Sequence, residues 1–139
     1  MLKCAKSFID KLDEKELKYE HSEDEDGSER VRISFKTDNA QNVRLNYFFD
    51  ENDMTVNIKV FSLAEVPVDK LMDMYVLMNQ LNSEYRWVTF YLDEDNEVTI
   101  SGDAVVEENT AGDELYQLAG RFLNIIDDVY PRIMKVRWS

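Results

Sequence analysis

The chain has 139 residues, 44% of them hydrophobic, which is enough for one core of ordinary size and too little for two comfortable domains. Its 29 Asp and Glu residues against 16 Lys and Arg give a net charge of −13, and a chain this acidic repels phosphate backbones and anionic lipid surfaces. We therefore expect a single domain over residues 1–139, with no nucleic acid and no membrane among its partners.

The chain contains one cysteine, Cys4, and one histidine, His21. No disulfide can form within it and a Cys/His zinc site lacks ligands, so the cytoplasm is the expected compartment. The first residues interleave charged and apolar side chains, unlike a signal peptide, and no run of about 18 apolar residues could cross a membrane.

The first predicted element is a short amphipathic helix, because Ala5, Phe8 and Leu12 recur at helical spacing, and it is expected to end near Lys15. The acidic segment 21–29 follows, and between its ends it has no apolar residue to bury. Its carboxylates repel one another, which predicts a mobile turn between two strands.

Alternation of apolar and polar residues predicts the next strands. Segment 50–53 is a short turn of residues that tolerate tight turns, so the strands on either side are expected to be adjacent and antiparallel. The residues that mark these strands are Leu17, Tyr19 and His21, then Val31, Ile33 and Phe35, then Val43, Leu45, Tyr47 and Phe49, and last Met54, Val56, Ile58 and Val60.

A second helix is predicted after Pro67, which fits a first helical position. Its apolar residues cover more than one contact face, so the helix is either central to the core or part of a partner interface. The main stripe consists of Leu71, Met74, Tyr75, Met78 and Leu81, and Met72, Val76 and Leu77 widen it.

Two further extended runs, 87–92 and 97–106, are joined by the acidic turn 93–96 and predict a second hairpin. A long helix from Asp113 follows, with a kink or restart expected near 128–130 because Pro131 removes a backbone hydrogen bond. This order predicts an α+β fold with a single antiparallel sheet of about five or six strands.

No catalytic, cofactor-binding or metal site is predicted. The alternating acids Asp93, Asp95 and Glu97 resemble a calcium loop, but Val98 stands where an EF-hand needs glycine. The lone Cys4 is of a type that is usually an inert thiol, and the four glycines do not form a phosphate-binding motif.

The second face of the predicted sheet is not purely polar, because Phe48 and Phe61 alternate with the core residues of the central hairpin. The strand at 87–92 adds either Trp87, Thr89 and Tyr91 or, in the opposite phase, Val88, Phe90 and Leu92. Such a face is usually covered by a second subunit, by a terminal helix of the same chain or by a ligand. The candidate protein-interface residues are Phe48, Phe61, Trp87 and Tyr91 on the sheet and Met72 on the second helix.

Two stretches resemble the YbjN family of putative bacterial sensory transduction regulators. In the first, 77–93, the motif Asn79-x-x-Asn82 leads into an aromatic strand, and the second is 127–134. The order of predicted elements is similar to the family over almost the whole chain. The resemblance implies a fold like that of the type III secretion chaperones, which are commonly dimeric, and it brings no catalytic residues.

The sequence therefore favours a non-enzymatic, chaperone-like binding or regulatory module, without a cofactor, whose partner is another protein or a second copy of the chain. The alternative is a small-molecule sensor or an enzyme, with a carboxylate-lined pocket between the second helix and the sheet.

Overall fold

Six strands form one antiparallel sheet, with three helices packed on one of its faces. The computed structural model describes residues 1–139. The helices are α1 (Lys3–Glu14), α2 (Leu71–Glu84) and α3 (Ala111–Trp138), and a short 3-10 turn, Val68–Lys70, precedes α2. The strands are β1 (Glu20–Glu23), β2 (Glu29–Phe35), β3 (Val43–Phe49), β4 (Thr55–Val60), β5 (Val88–Leu92) and β6 (Val98–Val105).

The strand order is β1-β2-β3-β4-β6-β5, and each neighbouring pair is antiparallel. This arrangement confirms the predicted α+β class and the single antiparallel sheet. None of the helices is both long and apolar enough to cross a membrane.

The covered face of the sheet packs against α1 and α3 through aromatic side chains. The Phe8 ring of α1 lies 4.4 Å from the Tyr47 ring of β3, centroid to centroid, and the Tyr47 hydroxyl donates to the Leu115 carbonyl of α3 at 3.0 Å. Burial raises the pKa of Tyr47 well above its ordinary value, so the hydroxyl stays a hydrogen-bond donor. This one residue ties the centre of the sheet to α3.

α1 and α3 approach closely at Gly112. The Gly112 N–H donates to Ser7 Oγ at 3.0 Å, and a Cβ at this position would lie 2.6 Å from the Ser7 carbonyl oxygen. A side chain at residue 112 would therefore force the two helices apart.

Pro131 does not interrupt α3. Of the two alternatives expected near 128–130, a kink or a restart, the restart is wrong, because the helix runs unbroken from Ala111 to Trp138. A proline at 131 has no N–H for the Asp127 carbonyl. That carbonyl instead accepts from Asn39 Nδ2 at 3.0 Å, while the Asn39 N–H donates to Asp127 Oδ1 at 2.7 Å. The loop between β2 and β3 thus replaces the lost helical hydrogen bond.

Three local predictions are also corrected. β1 begins at Glu20 rather than near Leu17. Met54 is exposed because it belongs to the turn, where Asn52 Oδ1 accepts its N–H. Tyr75 is 49% exposed and Leu77 is buried instead, because α2 turns Met74, Leu77, Met78 and Leu81 toward the core.

Candidate protein-interaction surfaces

The face of the sheet opposite the helices, which we call the open face, consists of the alternate residues of the same strands. Two rows of paired residues cross it. One row runs Arg32, Asn46, Lys59, Ser101 and Thr89, and the other runs Arg30, Phe48, Asn57 and Asp103. The three helices pack on the opposite face, so cover by a terminal helix, one of the three alternatives considered from the sequence, is not formed.

Two phenylalanines form an aromatic pair on the open face. The rings of Phe48 and Phe61 meet edge to face with their centroids 6.1 Å apart, and Phe61 is 45% exposed. Lys59 Nζ lies 5.9 Å from the Phe61 centroid, within cation–π range. Tyr91 of β5 points to the same face, because it pairs with Thr99 in phase with Thr89. Phe48 is half-buried and Phe61 is exposed. An aromatic pair that reaches water on an uncovered face of a sheet is a feature typical of a binding surface.

The open face carries positive charge although the chain is acidic. Arg32 is paired with Glu20 of β1, whereas no ion pair is formed by Arg30, Arg44 or Lys59. Three cations therefore surround the aromatic pair without a carboxylate of their own.

Trp87 does not belong to this face, which corrects its predicted alternation with Thr89 and Tyr91. Its φ of 76° is left-handed and turns the side chain to the covered side. There the indole meets Phe122 of α3 edge to face at 5.4 Å between centroids, and its Nε1–H donates to the Asp103 carbonyl at 2.7 Å. The close fit requires Gly102, since a Cβ there would come within 2.9 Å of the indole.

A second exposed apolar surface lies on α2, which we call the α2 stripe. Met72 is 75% exposed, and the side chains beside it on the helix surface are also open to water. The stripe consists of Val68, Met72, Tyr75 and Val76. Because the opposite side of α2 is packed into the core, this helix is apolar on both sides, which is typical of a helix with a further partner.

The space between α2 and the sheet is filled, so it offers no carboxylate-lined pocket of the kind considered from the sequence. Met74 and Leu81 are fully buried there, and Tyr85 packs on Phe90 with centroids 5.9 Å apart. A groove of about 820 Å³ lies elsewhere, between the end of β6 and α3, with Val105, Leu118, Glu114 and Arg121 among its walls.

Asn82, from the motif before β5, closes the edge of the sheet. Its Oδ1 accepts from the Phe90 N–H at 2.7 Å and its Nδ2 donates to the Phe90 carbonyl at 2.9 Å. One amide side chain thus satisfies both backbone groups that an edge strand presents at this residue. The motif's Asn82 therefore has a structural role that the sequence pattern did not reveal.

The cluster of His21, Glu23 and Glu29 is the group of side chains that could hold a metal ion, with ligand atoms within 4.8 Å of one another. His21 Nε2 lies 2.7 Å from Glu29 Oε1, and the other Glu29 oxygen accepts from the N–H of Leu2 at the start of α1. Glu29 is only 4% exposed. These partners already satisfy the buried carboxylate, which anchors the β1–β2 hairpin to the first helix.

Cys4 and His21 do not form a catalytic pair, because His21 is hydrogen-bonded to Glu29 and the thiol lies against Asp53. The thiol is buried and donates to the Asp53 carbonyl at 3.2 Å. Burial and the Asp53 carboxylate raise the pKa of Cys4 to about 11. The thiol is therefore protonated at neutral pH and is a poor nucleophile.

Comparison with known proteins gives one family and one fold. The family model YbjN, described as "Putative bacterial sensory transduction regulator", matches residues 9–134. Among solved structures, the chain is similar to "YbjN, a putative transcription regulator from E. coli", with a TM-score of 0.59 and 14% sequence identity over 92% of each chain. No curated protein matches the sequence. At this identity the solved structure shows a shared fold.

Proposed function

Because the chain belongs to the YbjN family, we propose that it is a regulatory module that acts by binding another polypeptide rather than by catalysing a reaction. The observation that carries the proposal is the open face, where Phe48 and Phe61 meet above strands that no helix covers. Burying one large apolar side chain is worth about 1.5 to 3 kcal/mol, so a partner that covered this pair would gain substantial free energy.

We further propose that the chain forms a homodimer through the α2 stripe. The stripe extends over about two turns, from Val68 to Val76, and the charged residues within that span are Asp69, Lys70 and Asp73. In a two-fold contact the stripe of one copy would pack against the same stripe of the other, which removes both from water. The two surfaces would then have separate tasks: α2 for self-association and the open face for the partner.

The dimer is tested by sedimentation velocity at tens of micromolar. The wild type is expected to sediment at twice the mass of one chain, and Met72→Glu to sediment as a monomer, because an unpaired carboxylate in an interface costs several kcal/mol. Phe61→Glu is expected to remain dimeric. A monomeric wild type would contradict the dimer, and a dimer indifferent to Met72→Glu would move the interface away from α2.

The binding role is tested by affinity capture from a bacterial extract, with the wild type, Phe61→Glu and Trp138→Glu as baits. Trp138 is a matched control, because it is an exposed aromatic residue at the end of α3, away from the open face. Proteins that bind to the wild type and to Trp138→Glu, but not to Phe61→Glu, are expected. If the three baits retain the same proteins, the open face is not the binding surface.

A further inference from the structure

We infer that the polypeptide recognised by the open face is acidic: an extended segment whose carboxylates flank a large apolar side chain. This inference rests on the proposed function and adds the chemistry of the partner. Its basis is the charge of this face: its strands carry more cations than carboxylates, whereas the chain as a whole has a net charge of −13.

In the turns beside the open face, the Asp50 and Asp93 carboxylates accept hydrogen bonds from Thr55 and Thr99. The strands themselves place four cations on this face, Arg30, Arg32, Arg44 and Lys59, and two carboxylates. Both carboxylates already have partners within the face: Glu20 binds Arg32, and Asp103 Oδ1 accepts from Asn57 Nδ2 at 2.8 Å. Arg30, Arg44 and Lys59 form no ion pair, which is also true of most Lys and Arg residues elsewhere in the chain. What distinguishes the strands of this face is that their cations outnumber their carboxylates, in a chain with a net charge of −13. The positive charge of this face can therefore be balanced by the carboxylates of a partner.

The cations are placed around the aromatic pair. Arg30 is the direct cross-strand neighbour of Phe48, and Lys59 lies over the Phe61 ring. Arg30 is two strands away from Asn57 in its row, and Lys59 is two residues from Asn57 along β4, so the Cα atoms of these two unpaired cations are about 12 Å apart. A segment with an apolar residue between two acids can place the apolar side chain on the phenylalanines and both carboxylates on cations.

A second copy of the chain fits this face poorly. A two-fold contact would place Arg30, Arg44 and Lys59 of one copy against the same set on the other, and like charges in direct opposition are destabilising. Within the span of the α2 stripe two carboxylates, Asp69 and Asp73, stand against Lys70, a smaller excess of one charge than on the open face, which is why we place self-association there.

A nucleic acid also fits less well than an acidic peptide. The turns at 24–28 and 50–54 lie at the same end of the sheet, and Gly27 is in contact range of Glu51. A long chain of phosphates that followed the cations would run toward these acidic turns. A short acidic segment can contact the cations of the open face without reaching these turns.

The test is selection from a random library of displayed peptides. The six-stranded sheet is about 25 Å across, which about eight extended residues span, so the library peptides are about 12 residues long. Selection uses the wild type, with removal of every peptide that also binds Phe61→Glu. The enriched peptides are expected to have a net negative charge with at least one large apolar residue.

Fluorescence anisotropy then measures the affinity of the enriched peptides for the wild type and for the triple variant Arg30→Gln/Arg44→Gln/Lys59→Gln. Arg86→Gln is the control, because Arg86 is an exposed arginine outside the open face. The triple variant is expected to bind about tenfold or more weakly, with an unchanged melting temperature, and binding to the wild type is expected to weaken with added salt. The Arg86→Gln control is expected to bind as the wild type does.

Two results would overturn the inference while leaving the proposed function intact: enriched peptides of neutral or positive charge, and acidic peptides that bind the triple variant as tightly as the wild type. Phe61-dependent binding of a single-stranded oligonucleotide more tightly than of any peptide would overturn the inference and the polypeptide-binding role together. A selection that yields no Phe61-dependent peptide, together with capture baits that behave alike, would overturn both proposals.

Discussion

The two faces of the sheet are built from the same strands and differ in almost everything else. In β3 the residues Val43, Leu45 and Tyr47 are buried under the helices, while Arg44 and Phe48, which alternate with them, lie on the open face. On the covered face apolar burial holds the fold together, and each side chain has neighbours on the helices. On the open face the same backbone displays cations and two phenylalanines that the fold does not need. The comparison separates residues that build the structure from those available to a partner.

The largest expected effect distinguishes Tyr47 from its neighbour Phe48. Tyr47→Ala is expected to lower the free energy of unfolding by about 3 to 5 kcal/mol, because it leaves a cavity between the sheet and α3. Phe48→Ala is expected to cost less than about 1 kcal/mol, since its side chain is already partly in water. Urea denaturation followed by circular dichroism gives both values. Equal losses would mean that the open face contributes to folding as much as the covered one.

The next largest loss of stability is expected at the edge strand β5, where Asn82 bonds to the Phe90 backbone. Asn82→Ala removes both hydrogen bonds to the Phe90 backbone and is expected to cost about 1 to 2 kcal/mol, with faster hydrogen exchange at the Phe90 amide. Asn79→Ala, in the same motif, is the control and is expected to change stability by less than about 0.5 kcal/mol. A protected Phe90 amide in Asn82→Ala would show that another group closes the edge.

A smaller loss of stability is expected where Asn39 donates a hydrogen bond to α3, one turn before Pro131. Asn39→Ala is expected to destabilise the wild type by about 1 kcal/mol, because the Asp127 carbonyl then loses its donor. In the Pro131→Ala background, the backbone N–H of the new alanine supplies that donor, so the same change is expected to cost about 0.5 kcal/mol less. A double-mutant cycle of urea unfolding measures the difference. Strict additivity would mean that the Asn39 contact does not compensate for the proline.

The smallest effect is a pH dependence at the contact between α2 and α3. The hydrogen bonds from Arg132 hold the pKa of Glu84 below its ordinary value. A carboxyl group with a lowered pKa in the folded state adds stability above its unfolded pKa and loses it as the pH falls through the folded pKa. The difference in melting temperature between wild type and Glu84→Gln is therefore expected to be largest near neutral pH and to vanish under strongly acidic conditions. A difference that does not change with pH would contradict this.

Local patterning was sufficient to predict much of the fold. Alternation in β2, β3 and β4 predicted the antiparallel sheet, and helical spacing predicted the three helices, because both signals depend on nearby residues. The failures have distant causes. Asn39 donates to the Asp127 carbonyl, 88 residues away in the chain, in place of the N–H that Pro131 lacks. The left-handed backbone at Trp87 takes its side chain out of phase with Thr89 and Tyr91, with which one of the two open phases of the strand had grouped it.

The same limit applies to the candidate surfaces. Alternation placed Phe48 and Phe61 opposite the core residues, and the structure has them on the open face, but their role in binding stays a prediction. The pairing of Arg32 with Glu20, the closure of the edge by Asn82 and the cluster of His21, Glu23 and Glu29 all depend on strand register and chain crossings. No spacing within a single segment contains that information.

The most direct test of the open face as a polypeptide-binding surface is the affinity of a library-selected peptide for the wild type and for Phe61→Glu, measured by fluorescence anisotropy beside a thermal melt. We expect Phe61→Glu to bind at least about tenfold more weakly, because a buried carboxylate replaces an aromatic contact, while its melting temperature stays within about 2 °C of the wild type. Equal affinity, or a loss of binding that only follows unfolding of the variant, would contradict the assignment of this face to binding.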